Sequence, residues 1–214
     1  MRRVLFGAAI IAGVFAVGHP LGSVTPYEAA FTGDTMRVDY LQTGGLGIEA
    51  VALDRIVNDG PWPGSRTSLV DETNLGKYLF EVVDRGTNRV LYSRGFASLY
   101  GEWETTPEAG EMHRTFSGTL RFPWPKSPVQ LVLKKRDRVN AFHEFWSAII
   151  DPASRQVNRG RLEPAGRVLT LWESGPPATT VDLLLIGDGY AEAEMAKFEA
   201  DARRLVERMF ALEP

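Results

Sequence analysis

The sequence Val-Asp-Leu-Leu-Leu-Ile-Gly-Asp-Gly-Tyr at residues 181–190 predicts a short buried strand followed by a tight turn. Its four consecutive apolar residues, Leu183–Ile186, are too few for a helix. A run of that length, ended by glycines, is typical of a strand that is buried on both faces of a parallel sheet. The apolar residues that follow recur at helical spacing: Met195, Phe198, Ala202, Leu205, Val206 and Met209. This stripe predicts one amphipathic helix of about 20 residues.

A strand–turn–helix unit of this kind is the beginning of an α/β domain and cannot cover its own apolar surface. The remaining strands must be supplied by polypeptide outside this sequence or by a partner. We therefore expect residues 181–214 to be the incomplete start of an α/β domain. The chemistry of that domain is then expected to lie outside these residues.

The preceding residues alternate between apolar and polar side chains, which is the period of half-buried strands. The clearest case is Met112–Phe122, where Met112, Phe116, Leu120 and Phe122 face one way. The other predicted strands are Thr35–Leu41, Ile48–Val57, Lys77–Asp84, Arg89–Ser93, Phe96–Trp103, Val129–Lys135, Ala141–Ile150 and Arg167–Trp172. Residues 141–150 also fit helical spacing, so both alternatives stay open there. Truncating Phe116 to Ala is expected to cost about 3–5 kcal/mol if its ring lies in the core.

Strands separated by Pro, Gly, Asn and Asp turns, with no helix between them, predict an antiparallel β-sandwich. We expect this sandwich, of Ig-like or jelly-roll type, to span residues 35–173. The polar residues 19–34 are expected to form an irregular leader before it. The stretch Ser174-Gly175-Pro176-Pro177 predicts a stiff linker over residues 174–180, between the sandwich and the strand–helix unit.

The first 18 residues have the three parts of an export signal. Arg2 and Arg3 are followed by an apolar stretch at 4–17 and by the small-residue cleavage site Ala16-Val17-Gly18. The apolar stretch is shorter than the ~20 residues of a transmembrane helix. We therefore expect a secreted or periplasmic protein with no stable membrane span after signal cleavage. An uncleaved anchor is the alternative.

The composition is that of an ordinary globular chain and argues against several classes of site. Of the 214 residues, 44% are hydrophobic and 24% charged, and the net charge is −3 with no long basic run. Nucleic acid is therefore not an expected partner. The sequence has no cysteine, which removes thiolate zinc ligands and cysteine nucleophiles. It also has no Gly-x-Ser-x-Gly motif for a hydrolase triad.

Candidate catalytic residues are few. His143-Glu144 begins like the helix motif of zinc peptidases, but that motif needs a second histidine at i+4, where Ser147 stands. We therefore expect no metal ligand and no catalytic residue in this chain. Glu102 and Glu104 would lie on one strand face at a glycosidase-like separation, although two solvated acids are the simpler interpretation. The basic run 134–136 together with Arg138 would form an anion site or, more simply, a solvated strand end.

Two candidate binding features remain. A carbohydrate- or protein-binding surface would require aromatic side chains beside one another in solvent, and the candidates are Trp62, Trp103 and Trp124. The alternative place for these rings is the core. Asp188, between Gly187 and Gly189, lies where α/β sheets bind ligands, or it accepts backbone N–H groups as the cap of the following helix.

Two stretches carry a family resemblance when taken together. The first runs from Thr73-Asn74-Leu75-Gly76-Lys77-Tyr78 through Tyr92–Ala97 to Tyr100–Thr106. The second is Asp182–Tyr190 with Glu194 and Lys197-Phe198. Both resemble the IgA peptidase family of secreted bacterial zinc metallopeptidases, over about Met36–Pro214. One departure is Ala191, where the family often has a Thr that caps the helix.

The resemblance implies an accessory β-sandwich followed by a metallopeptidase domain whose His-Glu-x-x-His helix comes later. Zinc is then expected in that absent catalytic domain and no cofactor in this chain. The implied partners are the chain's own C-terminal catalytic domain and a protein or glycan substrate. We interpret the chain as the non-catalytic accessory part of such an enzyme, inactive alone. A free-standing carbohydrate- or protein-binding module is the alternative, and a shortened structural or inhibitory family member is another.

Overall fold

The computed structural model describes residues 26–161 and 166–212. The predicted export signal, residues 1–18, lies outside the described residues, as do residues 19–25 of the predicted leader. The described elements in chain order are α1 (Tyr27–Ala30), β1 (Phe31–Gly45), β2 (Ile48–Pro61), β3 (Tyr78–Asp84), β4 (Val90–Phe96), α2 (Leu99–Trp103), β5 (Arg114–Pro125), β6 (Val129–Arg136), β7 (Phe142–Ile150), β8 (Val157–Arg161) and α3 (Met195–Phe210). Single 3-10 turns lie at Pro107–Gly110 and Glu192–Glu194.

The eight described strands form two four-stranded sheets, with the orders β5-β1-β2-β8 and β4-β3-β6-β7. Neighbouring strands are antiparallel except β2 and β8, which are parallel. The inner faces of the sheets enclose one apolar core, whose fully buried members include Met36, Val38, Val82, Phe122 and Leu131. The predicted β-sandwich is confirmed, and the ambiguous stretch at residues 141–150 is strand β7.

The predicted facing of β5 is correct for half of its named residues. Leu120 and Phe122 are 3% and 0% exposed and lie in the main core. Met112 precedes the strand and is 45% exposed, so its predicted burial is wrong. Phe116 is half-buried in a second, smaller cluster. The alternation therefore predicts which side chains of β5 are buried only where the opposite sheet lies over the strand.

The predicted strand Phe96–Trp103 is wrong, because the chain turns into helix α2 after β4 ends at Phe96. The Ser98 hydroxyl accepts the backbone N–H of Gly101 at 3.0 Å, which caps the helix. Helical spacing then places Tyr100 and Trp103 on one face, where both rings contact Phe116. A stretch of this length is too short for its alternation of apolar and polar residues to distinguish a strand from a helix.

The predicted irregular leader is also wrong over its described part. Residues Tyr27–Ala30 form α1, and β1 begins at Phe31, four residues earlier than predicted. The rings of Tyr27 and Phe31 are 5% and 1% exposed and belong to the main core. Strand β8 was not predicted at all. Its sequence contains Gly160 and little apolar character, and it exists by pairing with the exposed edge of β2.

The C-terminal residues contain the predicted helix but not the predicted strands. Helix α3 spans Met195–Phe210 and buries Ala202 and Val206. Residues 167–172 and 183–186 are in no described strand. A strand is defined by hydrogen bonds to a neighbouring backbone, and residues 181–188 have no such bond to any described residue. None of the described helices is long and apolar enough to cross a membrane.

Candidate functional site

Charged and polar side chains join the two sheets at the end of the sandwich that carries the β1–β2 turn. We call this group the sheet-bridging cluster, and its members are Gln42, Glu49, Lys77, Tyr78, Glu104 and Lys135. They come from β1, β2, β3 and the residue before it, β6 and the residue after α2. The cluster therefore connects both sheets with the α2 segment, which lies between β4 and β5 in the chain.

Lys135 lies at the centre of the sheet-bridging cluster. Its Nζ donates to Glu104 Oε2 at 2.8 Å and also to Glu49 Oε2. The side chains of Glu49 and Glu104 are 11% and 15% exposed, and that of Lys135 is 28% exposed. One ammonium thus holds two carboxylates that belong to different layers of the structure. Removing one partner of an ion pair this far from solvent is destabilising, because the remaining charge is poorly solvated.

Neutral donors complete the coordination of Glu49. The Tyr78 hydroxyl donates to Glu49 Oε1 at 3.0 Å, and the Gln42 side-chain amide donates to the same oxygen at 2.6 Å. Tyr78 is fully buried and Gln42 is 3% exposed. The Lys135 ammonium also lies 5.7 Å from the centroid of the Tyr78 ring. Each of these buried polar groups has a partner, as buried polar groups require.

A second set of bonds fastens the α2 segment to the sandwich. Lys77 forms an ion pair with Glu104, and its Nζ donates to the carbonyl of Gly101 at 2.7 Å. The Tyr100 hydroxyl donates to the carbonyl of Ile48 at 2.7 Å. A Cβ atom at Gly44 would lie 1.9 Å from that same carbonyl oxygen, so the close approach of β1 and β2 requires glycine here.

The ionisation of the cluster follows from burial opposed by charge pairing. Burial raises the pKa of Glu104, but the bonds from Lys135 and Lys77 outweigh it, and the net pKa is lowered. Burial lowers the pKa of Lys135, but Glu104 and Glu49 outweigh it, and the net pKa is raised. Burial and both carboxylates raise the pKa of Tyr78. The carboxylate and the ammonium therefore stay charged, and the phenol stays a neutral donor, over a wide pH range.

This ionisation predicts an acid-side loss of stability that depends on Glu104. Its lowered pKa means that it stabilises the fold above its unfolded pKa of about 4.3, and that this stabilisation disappears as pH falls through the folded value. Because the pKa of Lys135 is raised, the stabilisation that Lys135 contributes is lost only at pH values above about 10. We expect Glu104→Gln to flatten the decline in unfolding free energy between about pH 5 and pH 3, measured by urea denaturation. An unchanged decline would contradict the assignment.

The sheet-bridging cluster is suited to holding structure and not to transferring protons. Each of its charges has an opposite charge beside it, and its phenol does not ionise near neutral pH. An open groove of about 460 Å³ adjoins the cluster and is lined by Lys77, Ala97, Ser98, Leu99, Gly101 and Glu102. The one ammonium in this lining is already bonded to Gly101 and Glu104.

The histidine and acid candidates from the sequence do not come together. His143 is exposed on β7 and lies 2.8 Å from Asp137 Oδ2. Glu102 is exposed on α2, whereas Glu104 is held in the cluster, so the two acids do not face each other across a strand. In residues 26–161 and 166–212, no group of three or more His, Cys, Asp or Glu side chains is placed to hold a metal ion.

The basic run 134–136 does not form one anion site. Lys134 pairs with Glu81 at 2.8 Å, and Lys135 belongs to the sheet-bridging cluster. The Arg136 guanidinium donates to the carbonyls of Gly76 and Asn74 at 2.9 and 2.8 Å. The run thus sends alternate side chains to opposite sides of the sheet, as a strand does.

The three candidate tryptophans are not arranged side by side in solvent. Trp103 and Trp124 are 9% and 8% exposed. Trp62 packs edge-on against Tyr92 with 5.7 Å between the ring centroids, and it lies against the main core. The residues that were considered for a binding surface therefore contribute to packing in this structure.

Asp188 is exposed and does not cap α3. The N–H of Ala191 donates instead to Glu194 Oε2 at 3.0 Å, an interaction that the spacing of Ala191 and Glu194 would have predicted. Gly189 has φ +80°, which favours glycine in the turn. A Cβ atom at Gly187 would lie 2.8 Å from the Phe198 ring. The two glycines therefore allow the turn to pack closely on the helix.

Residues 181–212, which we call the strand–helix unit, are only partly covered. Tyr190 packs on Phe198 with 5.2 Å between ring centroids, and its hydroxyl donates to Asp201 at 3.0 Å. The residues before the turn remain in solvent, since Leu184 and Ile186 are 74% and 81% exposed. In this unit the turn therefore packs on the helix, while the apolar side chains before the turn are exposed to solvent.

Comparison with known families gives two matches in chain order. A profile described as Peptidase M64 N-terminus matches residues 26–147, more than half of the chain, and covers the sandwich from α1 into β7. A profile described as IgA Peptidase M64 matches residues 169–214, which include the whole strand–helix unit. No curated protein matches the chain.

Proposed function

Because this chain belongs to the Peptidase M64 family, we propose that it is the accessory part of a secreted zinc metallopeptidase, in which the sandwich supports the catalytic domain. The chain carries a peptidase-associated N-terminal module followed by the beginning of peptidase sequence. The observation that carries the proposal is this order of the two matches in one polypeptide. A module fused directly to the first residues of a peptidase has that peptidase as its nearest partner.

The sheet-bridging cluster supports a mechanical role for the sandwich. Its ion pairs tie two sheets and the α2 segment into one body, and their charges are satisfied inside that body. A frame of this kind holds an attached domain in a constant orientation and contributes no reacting group. Binding of a protein or glycan substrate by the outer surface is a further part of the proposal. The alternative of a free-standing glycan-binding module lacks its expected support, because Trp103 and Trp124 are buried.

Zinc would belong to the catalytic part of such a peptidase, since no group of three or more His, Cys, Asp or Glu side chains among residues 26–161 and 166–212 is placed to hold it. When bound in such an enzyme, zinc lowers the pKa of a bound water and polarises the scissile carbonyl. The residues of this chain would act by positioning. The export signal at residues 1–18 would deliver the protein to the periplasm or the medium, in agreement with the proposed class of enzyme.

The proposal is tested on the protein that the source organism makes. Antibodies against the sandwich would be used to purify it from medium, periplasm and cytosol, followed by zinc analysis and a casein hydrolysis assay with and without a zinc chelator. We expect the antigen outside the cytosol, with about one zinc per chain and chelator-sensitive hydrolysis. The recombinant 214-residue chain is the control and should have neither zinc nor activity. A cytosolic antigen, or a purified protein without zinc and activity, would refute the proposal.

A further inference from the structure

Large apolar side chains are exposed together at the end of the sandwich that carries the β1–β2 turn. We call this surface the apolar end face. Its apolar residues lie in or directly beside the loops of that end and are between 45% and 81% exposed: Leu46, Ile48, Leu75, Leu99, Met112 and Val139. Single exposed apolar residues are ordinary, whereas a group of them on one surface is typical of an interaction site.

Hydrogen bonds join the loops of the apolar end face to one another. The N–H of Leu46 donates to the carbonyl of Ala109 at 2.7 Å, which links the β1–β2 turn to the segment between β4 and β5. Lys77 Nζ donates to the carbonyl of Gly101 at 2.7 Å, and the N–H of Arg136 donates to the carbonyl of Lys77 at 2.8 Å. The sheet-bridging cluster belongs to the same end of the sandwich. The surface is therefore ordered before a partner binds, which lowers the entropy cost of binding.

The opposite end of the sandwich has a different composition. No Val, Ile, Leu, Met or aromatic residue occurs in its connecting loops, which are residues 85–89, 126–128 and 151–156. These loops contain one acid, Asp151, and several cations: Arg85, Arg89, Lys126 and Arg155. The exposed apolar side chains are thus concentrated at one end, and that end is the one held together by the sheet-bridging cluster.

The groove beside α2 adds a concave site to the apolar end face. Its volume is about 460 Å³, and its lining includes the apolar residues Ala97 and Leu99 together with the acidic residue Glu102. Glu102 is exposed and forms no ion pair within residues 26–161 and 166–212. The groove can therefore accept a large apolar side chain and, beside it, a positive charge.

The other unpaired charges of the apolar end face are mainly negative as well. Glu72 and Glu111 are exposed on its loops and, like Glu102, have no ion-pair partner in the described part of the chain. Arg138 is the one Lys or Arg of these loops that also lacks an ion pair there. Carboxylates around an apolar surface favour a partner that presents cations at the rim of the contact.

Strand β8 leads the chain away from the apolar end face. It runs parallel to β2, with Val157 beside Ile56 and Arg161 beside Asn58, and therefore points toward the opposite end. The match to peptidase sequence begins after this strand, at residue 169. A surface remote from the point where the chain leaves the sandwich fits a separate molecule better than the attached domain.

We propose that the apolar end face binds protein substrates, through polypeptide segments that place a large apolar side chain in the groove at Leu99 and a lysine or arginine beside Glu102. This inference rests on the proposed function, because a peptidase acts on polypeptides, and it names the surface and the chemical class that are recognised. The apolar contact supplies affinity, and the carboxylates select segments that carry positive charge.

The test measures binding of the full 214-residue chain to three fluorescent synthetic peptides of equal length by fluorescence anisotropy. The first peptide repeats Leu-Lys-Ser, the second Leu-Glu-Ser and the third Ser-Lys-Ser. We expect the first peptide to bind at least about tenfold more tightly than each of the others, because only it offers both apolar anchors and cations. Raising the salt concentration should weaken this preference over the second peptide.

Two pairs of matched variants locate the binding surface. Leu99 and Ile149 are 66% and 63% exposed, but Ile149 lies on β7 outside the apolar end face. Glu102 and Glu28 are exposed acids in the first turns of the short helices α2 and α1, and α1 lies at the opposite end. We expect Leu99→Ser to weaken binding of the first peptide by about tenfold, and Glu102→Gln to weaken it by about threefold or more. Ile149→Ser and Glu28→Gln should leave it unchanged, and all four variants should melt like wild type.

Three results would overturn the proposal: equal affinity for the three peptides, equal effects within either pair of variants, or a chain that sediments as a dimer until Leu99→Ser is introduced. The last result would assign the surface to a second copy of the chain. These failures are distinguishable from failure of the proposed function. An enzyme from the source organism that contains zinc and hydrolyses casein would keep the accessory role even if the apolar end face bound no peptide.

Discussion

Phe122→Ala is expected to lower the free energy of unfolding of the sandwich by about 3–5 kcal/mol. The Phe122 side chain is fully buried, and its ring centroid lies 6.3 Å from that of Phe80 on the opposite sheet. Truncation removes this contact between sheets and leaves a cavity that the surrounding strands cannot close. The loss is a large part of the 5–15 kcal/mol margin of a typical domain. Urea denaturation followed by tryptophan fluorescence measures it.

Phe116→Ala on the same strand is the matched control. Phe116 is half-buried and contacts Tyr100 and Trp103 in the smaller cluster, outside the main core. We expect a loss of about 1–2 kcal/mol, less than the 3–5 kcal/mol that the sequence alone predicts for this residue. Equal losses for the two variants would show that the smaller cluster is as important to the fold as the main core.

Lys135→Met should lower the free energy of unfolding by about 2–3 kcal/mol. Methionine keeps most of the apolar stem but removes the ammonium that bonds both Glu49 and Glu104. Glu104 keeps its ion pair with Lys77, whereas Glu49 keeps only the neutral donors Tyr78 and Gln42. A buried carboxylate without a counter-charge is the main cause of the expected loss.

Lys134→Met is the control for that substitution. Lys134 is the neighbouring residue on β6, and its side chain is 27% exposed, close to the 28% of Lys135. It makes a single ion pair, with Glu81, so we expect a loss below about 1 kcal/mol. Losses of equal size would mean that bridging between the sheets adds nothing to an ordinary ion pair, and the supporting role of the cluster would have to be abandoned.

The sandwich could be predicted because its strands carry a clear period of two. Met36 and Val38 on β1 and Leu120 and Phe122 on β5 alternate with polar residues and are buried as expected. The helix α3 was predictable for the corresponding reason, a stripe at helical spacing. The resemblance to IgA peptidases, based on residues 73–106 and 182–198, is confirmed by the two family matches.

The errors arose where structure depends on partners that are distant in sequence. Strand β8 has a weak pattern and forms because β2 offers an edge. Leu183–Ile186 has a strong strand pattern and remains unpaired among the described residues, because no edge is offered to it. Helix α2 was missed for a local reason, since the cap formed by Ser98 outweighs the alternation of the residues around it.

The sheet-bridging cluster could not be predicted from spacing. Glu49, Lys77, Glu104 and Lys135 are far apart in the sequence and carry no motif, and charged side chains on strands are ordinarily assigned to solvent. The alternation of residues 96–103 predicts Glu102 and Glu104 on one strand face, whereas Glu102 lies exposed on α2 and Glu104 is paired with Lys77 and Lys135. A signal was present only in the resemblance, because Lys77 and Glu104 both lie within the familiar stretch at residues 73–106.

The parallel pairing of β8 with β2 sets the order in which the sandwich can assemble. Ile56 pairs with Val157, about a hundred residues later, whereas the hairpins β1–β2, β3–β4 and β6–β7 are local. During synthesis at about 5–20 residues per second, β2 is therefore complete roughly 5–20 seconds before its last neighbour emerges. Throughout that interval the edge of β2 that pairs with β8 stays open, so another extended polypeptide can still pair with it. Closure of the fold is thus timed by its final strand and not by its first hairpin.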